Sequence, residues 1–523
     1  MNALWQRYKG AAACWLLILM LPATRAVAAQ DRQELTPEYK QIVAAYNIPD
    51  PATRLKEFER LKMAYPNSPY MEAIDASIMV AKVELAPTLD AVLALQKEAI
   101  DKGRATARIQ NPVVMAIQLL RHPLIGTFDK ARVLEAILAY KKEAIAAAAD
   151  PASYEGIPAN QRDFLKAQVL NAMDLTLARA YLNAGDAGQA LTTLEAYRKA
   201  GGPASANYEY MLGGVREMTG RLQEAYEAYL AAAVDNFEDS AARARALYTK
   251  IKGGPDGFEA ALAAKVQALP FTPEPFQAPA DWKGKVVLAE LFTGSECPPC
   301  VAADIGFDAL IETFPEKYLA VLIYHLPIPR PDPMMNPATE ARETYYGVNS
   351  TPTVVIDGEK TASGGGNRVM AEGKFVEYRA AIEPLLSSLP AVTPSVRAAR
   401  TGDKVNVSFD PGEAIPEADY LLVLVQAIQE HKGGNGVAYH KMVVRDLLAV
   451  EPKGPRSATF DLAASEQKAD QYLTDFETSY TRTPNFKWPV RRSAIARDGL
   501  KVVFFVQDRS TRKVLNAAVA DVK

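Results

Sequence analysis

KGKVVLAELFTGSECPPCVAADIGFDALIETF, Lys283 to Phe314, changes its period partway along. Lys285 to Phe292 reads as a strand, whereas Val301 to Phe314 carries apolar residues at helical spacing. Cys297 and Cys300 fall at the junction, the first just before the predicted helix and the second inside its first turn. Unpaired amides and the positive end of the helix dipole stabilise a thiolate there, which makes Cys297 the expected nucleophile. Two intervening residues bring the second sulfur within reach of a mixed disulfide. Pro298 and Pro299 stiffen the turn at positions where a helix tolerates proline. A working redox couple, a metal clip and a structural staple all use such a pair. So short a loop removes little entropy from the unfolded chain, which argues against the staple.

Downstream come a strand-like run, YLAVLIYHLPI (Tyr318 to Ile328), a helical one, NPATEARETYYGV (Asn336 to Val348), and then NSTPTVVIDG (Asn349 to Gly358). Strand, Cys-x-x-Cys, helix, and a Tyr-Gly-Val leading into Thr351-Pro352-Thr353 together resemble the thioredoxin superfamily over about residues 280 to 390. WKGKVVLAELFTG before CPPC is similar to the exported branch of that superfamily, the TlpA and ResA type, and to secreted bacterial proteins that carry EEFTG before the cysteines and often add a β domain. The resemblance implies that Pro352 is cis and lies against the active-site disulfide, and that Thr351 offers its backbone to a substrate chain. A cis bond at a non-proline residue costs about 3 kcal/mol, so a required cis turn demands proline. Two departures stand out. Glu296 replaces the usual Trp before the first cysteine, and its charge is expected to oppose thiolate formation. One extra residue separates strand and motif, and Glu290 is then the candidate for the family's buried proton-accepting carboxylate.

The chain of 523 residues is too long for one core. Hydrophobic residues at 49% and charged residues at 23% are those of a soluble globular protein, with no case for disorder or a polytopic membrane protein. Residues 1–29 read as a signal peptide: Arg7 and Lys9, an apolar run from Ala11 to Leu21, and Ala26-Val27-Ala28 for cleavage. Cys14 leaves with it, so the mature chain keeps Cys297 and Cys300 alone, in a periplasmic or secreted setting where disulfides persist, and has no membrane span. The net charge of −3 becomes more acidic once the leader's cations go, which excludes a nucleic-acid partner held by phosphate contacts.

Residues 30–269 are expected to be helical. LARAYLNAGDAGQALTTL (Leu177 to Leu194) lies on LGGVREMTGRLQEAYEAY (Leu212 to Tyr229) at a constant offset, matching Ala178 with Gly213, Gly185 with Gly220, and Ala190 with Ala225. RLKEFERLKMAYPNSPY (Arg54 to Tyr70) looks like a degenerate third copy. The pattern resembles the tetratricopeptide repeat, whose concave face implies a protein partner; a plain Ala-rich bundle is the alternative. PFTPEPFQAP (Pro270 to Pro279) is the predicted linker. After Leu389 come KVNVSF, YLLVLVQAI, HKMVVRDLLAV, ATFDL, LKVVFFVQD and VLNAAVADV, read as the strands of a β-sandwich over 391–523.

The expected fold class is multidomain α + α/β + β. The expected function is an exported thiol–disulfide oxidoreductase, needing no cofactor, that acts on protein thiols and disulfides and is served by an upstream redox partner. Cys297 and Cys300 are its catalytic pair, Glu290 its proton relay, and Thr351 and Pro352 its substrate groove. One rival is a copper(I)-binding metallochaperone using His325 with Met334 and Met335; the other is a scaffold built on the helical repeats. Gly364-Gly365-Gly366 lacks the Lys-Ser/Thr of a phosphate loop and reads as a flexible hairpin or loop, and His431 and His440, flanking GGNG, read as surface residues.

Overall fold

The computed structural model describes residues 37–102, 109–361, 364–451, 453–481 and 486–523; the expected leader, with Cys14, lies outside them. The chain divides into two compact units, Met1–Phe258 and Glu259–Lys523. The first is helical among its described residues and the second is built on a mixed sheet, so the chain is a multidomain α plus β protein. No helix among the described residues is long and apolar enough to cross a membrane.

Eleven α-helices are described between Pro37 and Lys252. Sequence neighbours pack together: Ala159–Ala184 meets Ala187–Lys199, and Ala206–Met218 meets Leu222–Val234. The aligned residues do equal work in both pairs. Gly185 and Gly220 take positive φ, 88° and 76°, where the chain turns. Ala190 and Ala225 are fully buried, and a Cβ on Gly213 would meet the Tyr229 ring at 2.8 Å.

In the second unit the elements are numbered from its first strand. After the helix Phe258–Gln267 come β1 (Val287–Thr293), α1 (Val301–Thr313), β2 (Leu319–His325), α2 (Pro337–Tyr346), β3 (Thr353–Ile356), β4 (Glu359–Thr361) and α3 (Ala371–Leu386). β5 (Ser395–Thr401), β6 (Lys404–Asp410), β7 (Ala418–Glu430), β8 (Tyr439–Val450), β9 (Ser457–Asp461), α4 (Leu462–Ser479), β10 (Leu500–Asp508) and β11 (Val514–Asp521) complete it. One eight-stranded sheet runs β11-β10-β7-β8-β2-β1-β3-β4. β1 and β2 are parallel, with Val287 opposite Leu319, and β3 is antiparallel to β1, with Phe292 opposite Thr353. Every residue of β1 is buried, which is why VLAELFT shows no alternation. Thr293 bonds α1 and Glu290 bonds α2, so the two helices cover opposite faces.

The structure corrects the expected carboxy-terminal sandwich and the expected linker. The strands after Leu389 do not form a sandwich of their own: β8 joins β2 in parallel at Ile323 and Val443, which makes β7, β8, β10 and β11 an extension of the central sheet. The local runs place the strands, but pairing across more than a hundred residues leaves no local mark. Only β5-β6-β9 forms a second layer, laying Val405, Val407 and Phe409 on Leu422, Leu424 and Phe504. Residues 270–279 are likewise no open linker. Their prolines bar a helix, but the Phe276 ring packs at a tilt 4.4 Å from that of Phe314 and 4.9 Å from that of Tyr318, tying the segment to the second unit. α4 also interrupts the expected run of strands; Asp461 ends β9 and caps the helix by accepting from Ala464 N at 3.2 Å.

Candidate functional site

β1 delivers the chain to a tight turn, Gly294 to Glu296, after which Cys297 opens a 3₁₀ turn and Cys300 stands at the threshold of α1. Cys300 thus precedes the α-helix instead of lying inside its first turn. Cys297 N–H donates to Gly294 O at 3.1 Å and Cys300 N–H to Cys297 O at 3.0 Å. The two sulfurs are joined in a disulfide, and both cysteines are 0% exposed although Pro298 and Pro299 between them face solvent.

Thr351 and Pro352 are brought to the pair. Their peptide bond is cis, Thr351 Oγ1 lies 3.3 Å and its carbonyl oxygen 3.8 Å from Cys297 Sγ, and the hydroxyl donates to Ile328 O at 2.8 Å.

Glu290 is not brought there. It points to the α2 face, where Arg342 Nη2 donates to both its oxygens, at 2.7 and 3.0 Å, and the Tyr346 and Tyr324 hydroxyls donate at 2.7 and 3.1 Å. Gln507 completes this buried cluster, accepting from Arg342 Nη1 at 2.9 Å and donating to the Tyr346 hydroxyl at 2.9 Å. The Glu290 carboxylate neutralises a buried guanidinium; side chains alternate along a strand, so a residue displaced by one place from the α1 face looks away from it.

The carboxyl on the cysteine side is Asp304, which the sequence alone does not single out. It lies four residues beyond Cys300, one helical turn on, and accepts from Thr293 Oγ1 at 2.6 Å. Burial pushes it up to about 7, against the lowering effect of the Thr293 hydroxyl and of nearby His325. In sequence it is one of several polar residues of an amphipathic helix; its bond to Thr293 turns it to the sheet, where it is buried.

Three of the chain's four histidines gather close by, correcting the expectation that His431 and His440 are surface residues: both are buried. His325 Nδ1 lies 3.0 Å from Asp332 Oδ2, and its ring meets that of His440 edge-on at 4.9 Å; His440 Nε2 lies 2.9 Å from His431 O. Burial, with His325 alongside, pushes His440 down to about 3. Burial alone would raise Asp332, but the His325 ring and the Ser295 and Met334 amides hold it well below the usual carboxylate range. Asp332 accepts from Ser295 N at 2.6 Å, which ties this cluster to the turn before Cys297. Met334 and Met335 are buried, and among the described residues no group of three or more His, Cys, Asp and Glu is placed to hold a metal.

Two glycine-bearing loops close on the motif. Gly366 N donates to Pro299 O at 2.6 Å and Ala302 N to Gly366 O at 3.0 Å. On the other side, Asn435 N donates to Ser295 O at 2.9 Å and Gly434 N to Glu296 Oε1 at 2.8 Å.

Comparison with protein families finds no match, and comparison with curated proteins finds none either. Among solved structures, the crystal structure of a structural-genomics target from Agrobacterium tumefaciens is similar at 17% identity over 46% of this chain and 96% of that one, with a TM-score of 0.29. That score carries no argument about fold.

Proposed function

We propose that the protein is a thiol–disulfide oxidoreductase of thioredoxin type, exported, which exchanges disulfides with a protein client through Cys297 and Cys300. The observation that carries this reading is the bonded Cys-Pro-Pro-Cys pair at the start of α1 with the Thr351 hydroxyl and carbonyl against Cys297 Sγ. A client thiolate attacks Cys297 Sγ; the bond to Cys300 breaks as the new one forms, and Cys300 leaves as a thiolate that takes a proton from the carboxyl of Asp304. The client's second thiolate then attacks its own sulfur in the mixed disulfide and releases Cys297. Two electrons pass from client to protein, and an upstream thiol–disulfide partner removes them. In reverse, the Cys297 thiolate attacks a client disulfide and Cys300 resolves the intermediate, so the direction is set by the relative reduction potentials.

Asp304 fits the proton step because its carboxyl, buried one turn from Cys300, titrates near neutrality. Thr351 lends a carbonyl beside the reacting sulfur, where a client backbone lies. The helices of the first unit, repeated at a fixed offset, are the surface we assign to a protein partner.

Cys300→Ser tests the reading. The reduced variant, incubated with an oxidised protein client such as insulin, is expected to hold a mixed disulfide through Cys297, seen by non-reducing electrophoresis and mass spectrometry. Cys297→Ser is expected to trap none; equal trapping by both variants, or by neither, rejects the assigned roles.

A further inference from the structure

Cys297 is completely buried, yet disulfide exchange requires that another sulfur reach it. The cover over it is therefore part of its chemistry. The segment Lys432 to Gly436 lies against residues 294–296, the three immediately before Cys297. Asn435 donates twice, from its backbone N to Ser295 O at 2.9 Å and from Nδ2 to Gly294 O at 3.2 Å. Gly434 N donates to Glu296 Oε1 at 2.8 Å. The fit leaves no room for a side chain at Gly433, where a Cβ would meet the Ser295 backbone oxygen at 2.3 Å; one on Gly434 would meet only the movable end of Glu296, at 2.4 Å.

The base of the segment is held differently. His431 N donates to Ala438 O at 2.9 Å, and Val437 is buried with Val301, Ile305 and Ala371. Between these two anchored ends, Lys432 and Gly434 are exposed and no apolar side chain is buried. The tip meets residues 294–296 through hydrogen bonds, each of which water replaces when the tip lifts. By contrast, a burial anchor such as Val437 loses its contacts outright on opening.

We propose that Lys432–Gly436 is a lid over Cys297 and that Glu296 is its latch. The proposal rests on the exchange activity proposed for the pair and adds how access is controlled. Glu296 then has a purpose at the position where thioredoxins usually carry Trp: its carboxylate is turned to the lid's amide, and it fastens the closed form in which small thiols do not reach the disulfide. The lifted lid frees the Gly294 and Ser295 carbonyls beside Cys297 to accept from a client chain.

The test compares the oxidised full-length protein with Glu296→Gln and Gly433→Ala. The first weakens the latch and removes its charge; the second keeps the charge and forces the tip away by collision. Two readouts are taken: the second-order rate of disulfide reduction by dithiothreitol, and hydrogen exchange at residues 433–436. Losing a hydrogen bond to a charged group is expected to raise the reduction rate roughly ten- to hundredfold in both variants, with faster exchange at the tip. A rate raised in Glu296→Gln alone makes the effect one of charge and overturns the latch. Equal rates in all three proteins, with the disulfide still reducible, also overturn it and leave the exchange activity standing. If no protein of the three is reduced while folded, both fall.

Discussion

Asp304 is the residue on which the proposed proton step turns, and its behaviour is measurable in two ways. With its folded value raised to about 7 and an unfolded one of about 3.9, the unfolded chain sheds this proton first as pH rises. The group's contribution to stability is therefore full below about pH 4, declines by up to about 1.4 kcal/mol per pH unit, and is gone by about pH 7. Asp304→Asn is expected to remove that decline, so that its urea midpoint gains on the wild type between pH 5 and pH 8; parallel midpoints across that range contradict the assignment. The same variant is expected to lose the inflection near pH 7 in the rate of exchange, which a purely structural carboxyl does not produce. Cys297 and Cys300 are marked in the sequence by their close spacing between strand and helix, and Thr351 and Pro352 by the resemblance to the thioredoxin superfamily. The choice between Glu290 and Asp304 is not, since it depends on which face of β1 meets α1 and which meets α2. His431 and His440 mislead for the same reason: a Gly-rich loop looks solvated until the turn it docks on is known.

Among the elements, the paired helices of the first unit depend on close approach. Ala206–Met218 reaches Leu222–Val234 only because Gly213 leaves space for the Tyr229 ring, whose hydroxyl goes on to donate to Glu217 at 2.9 Å. Gly213→Val is expected to cost about 1–3 kcal/mol as the helices part or Tyr229 swings out, the range for overpacking a filled site. Thermal melts monitored by circular dichroism check it, and a melting temperature equal to the wild type's contradicts the packing. The offset between the two copies is readable because small residues and turn glycines are needed where helices cross and reverse. α4 is not readable in the same way: it sits between runs that are strands, and its helical spacing carries few large apolar residues, with Leu462, Ala469 and Leu473 among those buried.

For the molecule as a whole, the fusion of the carboxy-terminal strands into the central sheet makes the stability of β1 to α3 depend on those strands. Lys285 Nζ donates to Val514 O at 2.9 Å, Val286 N donates to Asn516 Oδ1 at 2.8 Å, and β8 covers the edge of β2. A chain ending at Leu389 loses these and leaves an unpaired apolar strand edge. It is expected to be insoluble or to lack near-ultraviolet circular dichroism, whereas residues 259–523 give a cooperative unfolding transition; a well-folded, soluble chain ending at Leu389 contradicts the continuous sheet. Strand positions are legible in this region and their association is not, because a strand's run names its faces but not its neighbour. The claim beneath all of this is that the Cys297–Cys300 bond opens and closes in the native protein. Equilibrating the folded chain in a series of dithiothreitol buffers and counting trapped thiols by mass spectrometry measures this directly. Both cysteines are predicted to convert together in one reversible two-electron step while circular dichroism stays native; a pair that opens only in denaturant contradicts the account.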